Sequence, residues 1–520
     1  MNKTGTATLA CGLLLGAALT VTPAAAAQHQ DGIDWGKCAS ADLQKAGAQC
    51  GTVKAPLDPA DPGAGTVSIA VSRIKHTVPD SAYQGVMLVN PGGPGGAGLR
   101  MATQGKKVPN GVGKAYDWIG FDPRGVGEST PKLSCDPKET GFNRPDYTPD
   151  RPGIEQYWRK HKHDYAKACG RNGGKLLEHM KTTDSVSDME AIRTALGAEQ
   201  INFLGFSYGT YLGQVYSTLH PDRMRRMVLD SNVDPRNIWY QANLNQEYAF
   251  DRNLGIWFEW LAKHDDVYHL GKTKQAVHAQ WYQQRDRLKR APAGGKIGPA
   301  EWTDIFQSAG YYRVVWTELA DAFSAWVNKG DAEPLISEFG PTTEPDSENN
   351  YAVYNAVQCT DIQWPRSYGK WRADAWRIHA TAPFNAWSNT WYNAPCLNWP
   401  AKAGKPVQVD GSKTKSALLI GETLDAATPF EGSLEVRSRY PGARLIGEPG
   451  GTAHADSLYG NACVDDRIAD YLATGKLPDR KPGRQSDVTC APLPDPQPEN
   501  AEAQKRTAEE HRSLLPALHF

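Results

Sequence analysis

Gly205-Phe206-Ser207-Tyr208-Gly209 follows a short apolar run, Ile201 to Leu204, and opens onto Thr210 to Tyr216, which reads as a helix. A G-x-S-x-G between a strand and a helix is a nucleophile elbow. The serine of such an elbow sits in a strained turn, and a β-carbon on either side would crowd the strand or the helix, which is the work of the two glycines. The motif predicts a reaction class, nucleophilic acyl transfer, as well as a local shape.

Outward from the elbow, apolar runs alternate with helical patterns. Val67 to Val71 alternates with period two, and Val86-Met87-Leu88-Val89 is a continuous run suited to a central strand. Tyr116 to Phe121 is another, ending in Asp122-Pro123-Arg124-Gly125-Val126-Gly127. Asp184 to Leu196 carries Val186, Met189, Ile192 and Leu196 at helical spacing, with Asp184 or Ser185 as the expected N-cap, and Met227 to Leu229 is the next buried run. This rhythm predicts an α/β fold, a mostly parallel sheet with helices on both faces; together with the elbow it predicts an α/β-hydrolase. Between Arg236 and Pro400 the rhythm stops. Trp, Tyr, Gln and charge recur there at helical periods, Trp239, Trp257, Trp260, Trp281, Trp302, Trp316 and Trp326 among them, so a large helical cap is expected, its tryptophans mostly core. Strands resume at Ser416 to Gly421 and Arg444 to Ile446, followed by a helix near Ala462 to Thr474. The expected organisation is a leader at 1–27, a first core part at 28–235, a cap at 236–400, a second core part at 401–490 and a tail at 491–520 lying outside the core.

The leader is read from Lys3, the apolar run Leu9 to Val21 and the small-residue site Ala24-Ala25-Ala26, the pattern of a secretory signal. An exported, extracellular protein is the expectation, with no membrane attachment once the leader is removed. Cys11 leaves with it, and eight cysteines remain; pairing of sequential neighbours is expected, Cys38–Cys50, Cys135–Cys169, Cys359–Cys396 and Cys463–Cys490. A formal net charge of −1 argues against nucleic acid as a partner.

A serine hydroxyl needs a base in reach and a carboxylate to orient the base. In this fold class those follow the serine in the order acid, then histidine. His454, in Gly450-Gly451-Thr452-Ala453-His454, is the expected base, since His511 and His519 lie in the tail. Asp425 is the expected acid, with Glu422 and Asp230 as competitors. The oxyanion needs two backbone donors. Tyr208 N–H is one; the other is expected from Asn90-Pro91-Gly92-Gly93-Pro94-Gly95, Gly93 first and Gly92 second. Gly93, Gly95 and Gly98 also match G-x-G-x-x-G, a weak dinucleotide signal that an exported chain does not favour. Asp122-Pro123-Arg124-Gly125 reads as structural, its charges tying loops together beneath the site. His161-Lys162-His163-Asp164 reads as a solvated face, because i,i+2 histidines on a helix point apart. No metal or organic cofactor is called for.

Taken together, the Asn90 loop, Asp122 to Gly127, Gly205 to Gly213 and Asp425-Ala426-Ala427-Thr428-Pro429 resemble secreted actinobacterial tripeptidyl aminopeptidases, in the prolyl aminopeptidase-like branch of α/β-hydrolase serine peptidases. The resemblance runs from about Ile33 to about Cys490. It implies release of tripeptides from free peptide N-termini, with Ser207 as nucleophile, Asp425 as acid and His454 as base; some relatives favour proline at the cleaved position. Many members carry His-Gly at the base, where this chain has Ala455.

An exopeptidase must hold an α-ammonium, which calls for a carboxylate facing the cleft roughly 10 Å from the serine, the span of three extended residues. Glu247, Asp251 and Asp361 are the candidates. A monomer acting on peptide substrates is the expectation. An esterase or lipase-like hydrolase with the same residues, and a binding protein that kept the fold and lost turnover, are the rivals.

Overall fold

The computed structural model describes residues 1–2, 32–501 and 505–509. The expected leader, apart from its first two residues, lies outside them, as do His511 and His519. Ten strands form one sheet: β1 (Gly36–Lys37), β2 (Gln49–Asp58), β3 (Asp61–Ile74), β4 (Val86–Asn90), β5 (Asp117–Phe121), β6 (Ile201–Phe206), β7 (Met224–Asp230), β8 (Ala417–Glu422), β9 (Ala443–Glu448) and β10 (Val488–Thr489). Their order is β1-β2-β3-β5-β4-β6-β7-β8-β9-β10, antiparallel through β5 and parallel from β5 to β10.

Every residue of β4, β6 and β8 is buried, as continuous apolar runs in a sheet covered on both faces should be. The register aligns the carboxyl ends: Asn90 faces Gly205, Phe206 faces Asp230, and Glu422 faces Glu448. That edge is where α/β sheets place their ligands. This is the architecture expected from the elbow and the strand rhythm. No helix among the described residues is long and apolar enough to cross a membrane.

From Tyr240–Lys263 to Ala386–Asn393 the chain is helical and contributes no strand to the sheet. Trp257, Trp281 and Trp302 extend the core of the sheet into the cap. Trp257 stacks on Phe306 with ring centroids 5.4 Å apart, Trp302 meets Phe306 edge-on at 4.6 Å, and Trp281 and Phe323 close the cluster. The structure pairs the cysteines as Cys38–Cys50, Cys135–Cys169, Cys359–Cys396 and Cys463–Cys490.

Four readings of the sequence need correction. One strand was expected before β4, and there are three, the short β1 and the long hairpin of β2 and β3. The helix expected from Asp184 begins earlier, at Thr182, and Asp184 is its third residue, its carboxylate accepting the Lys181 amide at 2.9 Å. Lys162 is not solvated: it is buried on the helix Pro152–Asn172 in an ion pair with Glu139, and His161 approaches the same carboxylate at 3.2 Å. The tail packs on the cap, since Pro496 carbonyl accepts the Trp260 indole at 2.9 Å and Ala508 is fully buried.

Asp122-Pro123-Arg124-Gly125 does tie loops together. Asp122 accepts the amides of Gly98, Leu99 and Glu128 at 2.7, 3.1 and 2.8 Å. Burial outweighs those donors and lifts its carboxyl to about 6. Arg124 grips Asp188 with two bonds of 2.7 and 2.6 Å, and its remaining N–H groups reach the carbonyls of Leu57 and His179. Both side chains are about 1% exposed. Asp188→Ala strands a buried guanidinium and is expected to cost about 3–5 kcal/mol, read as a lowered urea midpoint.

Candidate active site

Ser207 follows the last residue of β6 with φ 56° and ψ −125°, and the helix Tyr208–Leu219 starts at once. A Cβ at Gly205 would lie 2.6 Å from the Gly209 carbonyl, and one at Gly209 would lie 2.7 Å from the Asn90 carbonyl, so the flanking glycines permit contacts that no side chain would. The Ser207 amide donates to the Asp230 carbonyl at 3.0 Å, pinning the turn to the neighbouring strand end. Its hydroxyl makes no hydrogen bond among the described residues and lines a cleft of about 590 Å³ with Gly93, Tyr208, Trp239, Tyr311 and Tyr354.

Asp425 and His454 are in contact: Nδ1 of the imidazole lies 2.8 Å from Asp425 Oδ2. Asp425 is 1% and His454 3% exposed, so the pair is shielded from screening by solvent. The carboxylate is itself held. Oδ1 accepts the amides of Ala427 and Thr428 at 2.8 and 3.1 Å, and Oδ2 accepts the Thr428 hydroxyl at 2.7 Å. Thr428 went unread in the sequence; a hydroxyl three residues after an aspartate is the signal that would have found it.

The His454 loop is fastened on the same strand end as Ser207. The Ala455 amide donates to Ser231 Oγ at 2.8 Å, and Ser457 donates twice to Asp230 Oδ2, at 3.0 and 2.6 Å. The His454 amide reaches the Tyr311 carbonyl at 2.9 Å. Ala455 has φ 58°, the left-handed region that favours glycine. An alanine therefore holds a turn that glycine would adopt without strain.

Neither competitor contacts the imidazole. Asp230 is taken up by Ser457. Glu422 accepts the Ala453 amide, and burial, then the neighbouring Asp456 and Glu448, push its carboxyl well above the ordinary range, which suits it poorly to steady an imidazolium.

Gly92 and Gly93 cross over the serine. A Cβ on Gly92 would lie 2.5 Å from the Phe206 carbonyl, 2.9 Å from Ser207 Cβ and 3.1 Å from the Tyr208 nitrogen. The Gly92 amide already donates to Asn90 Oδ1 at 3.0 Å. The amides of Gly93 and Tyr208 donate to nothing among the described residues.

The three carboxylates considered for the substrate amine differ. Asp361 accepts the Thr182 amide and hydroxyl at 2.6 and 2.7 Å and the Trp239 indole at 3.1 Å, a set of bonds that ties the cap to the core. Asp251 accepts the Phe384 amide at 3.1 Å. Glu247 is 1% exposed; Oε1 is 3.4 Å from the Asn389 amide nitrogen and Oε2 has no partner. Asn389 also donates to the carbonyl of Asn243, a residue of the cleft wall.

The fold and the relatives define a class. Residues 85–319 match the alpha/beta hydrolase fold family, and residues 382–490 match the family described as TAP-like protein. The tripeptidyl aminopeptidase of Streptomyces lividans is 42% identical over 487 residues, covering 91% of this chain and 89% of that one. The serine protease Hip1 of Mycobacterium tuberculosis is 27% identical, covering 86% and 89%. Carboxylesterase B of the same organism is 30% identical, covering 94% and 98%. The protein is a serine peptidase of the α/β-hydrolase class. Within that class, the chain belongs to the tripeptidyl aminopeptidase family.

Gly92→Ala is expected to lower kcat by roughly 10²-fold through displacement of the loop from Ser207, a loss the size of a missing oxyanion donor. Steady-state kinetics beside an unchanged far-UV circular dichroism spectrum checks it.

Proposed function

We propose that Ser207 attacks the scissile carbonyl while His454 takes its proton, with Asp425 holding the imidazole and stabilising its charged form. The observation that carries this reading is the 2.8 Å contact between Asp425 and His454, made by loops that lock onto the strand end beside a free serine hydroxyl. The Ser207–His454 bond itself forms as substrate fills the cleft; such bonds are often loose in an empty site. Gly93 and Tyr208 amides receive the oxyanion, their N–H groups being uncommitted. The acyl-enzyme is then released by water.

The substrate we assign is a peptide with a free N-terminus, cut after its third residue. Glu247 supports this. A carboxylate buried behind the cleft wall with an unpartnered oxygen is a receptor for a cation, and an incoming ammonium would hold it ionised against the burial that now raises its pKa. Trp239, Tyr311 and Tyr354 offer apolar ring faces that suit a proline at the cleaved position. Asp361 and Asp251 are not assigned to the amine. Four disulfides and the N-terminal sequence support an extracellular site of action.

Mass spectrometry of digests of N-terminally free peptides should show loss in steps of three residues. Single-residue steps, interior cuts, or turnover of short acyl esters alone would overturn the reading. Ser207→Ala is expected to lower kcat by about 10⁴-fold or more. Glu247→Gln is expected to raise KM for a free tripeptide anilide by about tenfold or more and to leave an N-acetylated analogue unaffected.

A further inference from the structure

Glu422 is the last residue of β8 and Glu448 the last of β9, and the two are partners in the parallel register. The loop after Glu422 carries Asp425, and the loop after Glu448 carries His454. Asp456, just past His454, returns to the same place: one carboxylate oxygen from each of the three lies within 4.8 Å of the others.

Like charges side by side on neighbouring strands repel, and burial magnifies the repulsion. Glu422 is 3% exposed and Glu448 1%. Some of their oxygens are satisfied: Glu422 Oε2 accepts the Ala453 amide, and Glu448 Oε2 accepts the Asn461 side chain at 2.6 Å. Glu422 Oε1, however, is sealed from solvent and has no hydrogen-bond partner. The Asp456 carboxylate accepts no hydrogen bond from any described residue. Arg313 offsets part of the charge at Glu422 and Asp456, but its guanidinium donates to Thr452 Oγ1, the carbonyls of Leu493 and Gly450, and Asp495. Asp230 and Asp465, close by, add negative charge.

We propose that Glu422, Glu448 and Asp456 bind one calcium ion, which ties the end of β8 to the end of β9 and fixes the spacing of the loops that bear Asp425 and His454. The donors are all carboxylate oxygens, the choice of a hard cation, and no cysteine or histidine among them invites zinc. Oxygens that all lie within 4.8 Å of one another can ligate a single ion, and calcium, with its flexible carboxylate coordination, suits three protein carboxylates better than magnesium, which keeps several waters. The ion would sit behind the His454 loop, outside the cleft, as a structural clamp. No local pattern announces the site, because the three ligands come from two strand ends and a turn rather than from one ligand-bearing loop.

Isothermal titration of the full chain, stripped with EDTA, tests this. One Ca²⁺ per chain is expected, with Mg²⁺ at least tenfold weaker, and the thermal midpoint should rise by about 3 °C at a hundredfold excess over Kd. Glu448→Gln and Asp456→Asn should each abolish the binding heat and the thermal shift. Should Glu448→Gln fail to fold, Asp456→Asn, at a less buried position, carries the test alone. No binding heat together with equal midpoints in Ca²⁺ and EDTA, as when protons alone neutralise the cluster, overturns the proposal. Undiminished binding by the variants overturns it as well.

Discussion

The backbone at Ser207, φ 56° and ψ −125°, is a conformation an L-residue resists, and the centre of the molecule is arranged around keeping it. β6 is buried along its whole length, so the strand cannot slide to relieve the turn. The helix that follows is packed on nearly every side in its first turns. Asn90, Gly205 and Gly209 meet at distances only glycine allows, and the Ser207 amide is fixed to Asp230. Release of that strain would cost all of these contacts together.

The same edge of the sheet gathers everything else. Five strand ends, at Asn90, Phe206, Asp230, Glu422 and Glu448, lie along one edge of the sheet, and each sends out a loop that the site uses. Asp230 holds the His454 loop through Ser457; Glu422 holds it through Ala453. Acidic residues beside the imidazole thus have different duties according to what donates to them. Asp425, with three donors besides the imidazole, is positioned to face His454, while the others brace the loop from behind.

Much of this was legible in the chain. The elbow, the fully apolar central strands and the tryptophan-rich helical stretch each carry a local pattern with a physical cause, and the helix at Ala462–Thr474 falls where its periodicity places it. What escaped reading depends on partners distant in the chain. Lys162 looks like a surface charge until Glu139 meets it, and Asp361 looks like a cleft carboxylate until Thr182 and Trp239 take its oxygens. The tail seemed too polar to pack, but its carbonyls serve Trp260 and Arg313, which no composition argument reveals. Glu247 was one of three equals in sequence and stands apart only because one of its oxygens is left alone.

Tyr208 joins two parts of the molecule. Its amide stands beside Ser207, and its phenol meets the Thr182 hydroxyl at 2.8 Å, which in turn bonds Asp361 at the end of the helix Pro345–Asp361, where Trp239 also docks. The roof and the floor of the cleft are therefore mechanically geared. Warming that loosens the roof drags on the floor through this train of hydroxyls, so the enzyme would fall silent while most of its sheet is still intact.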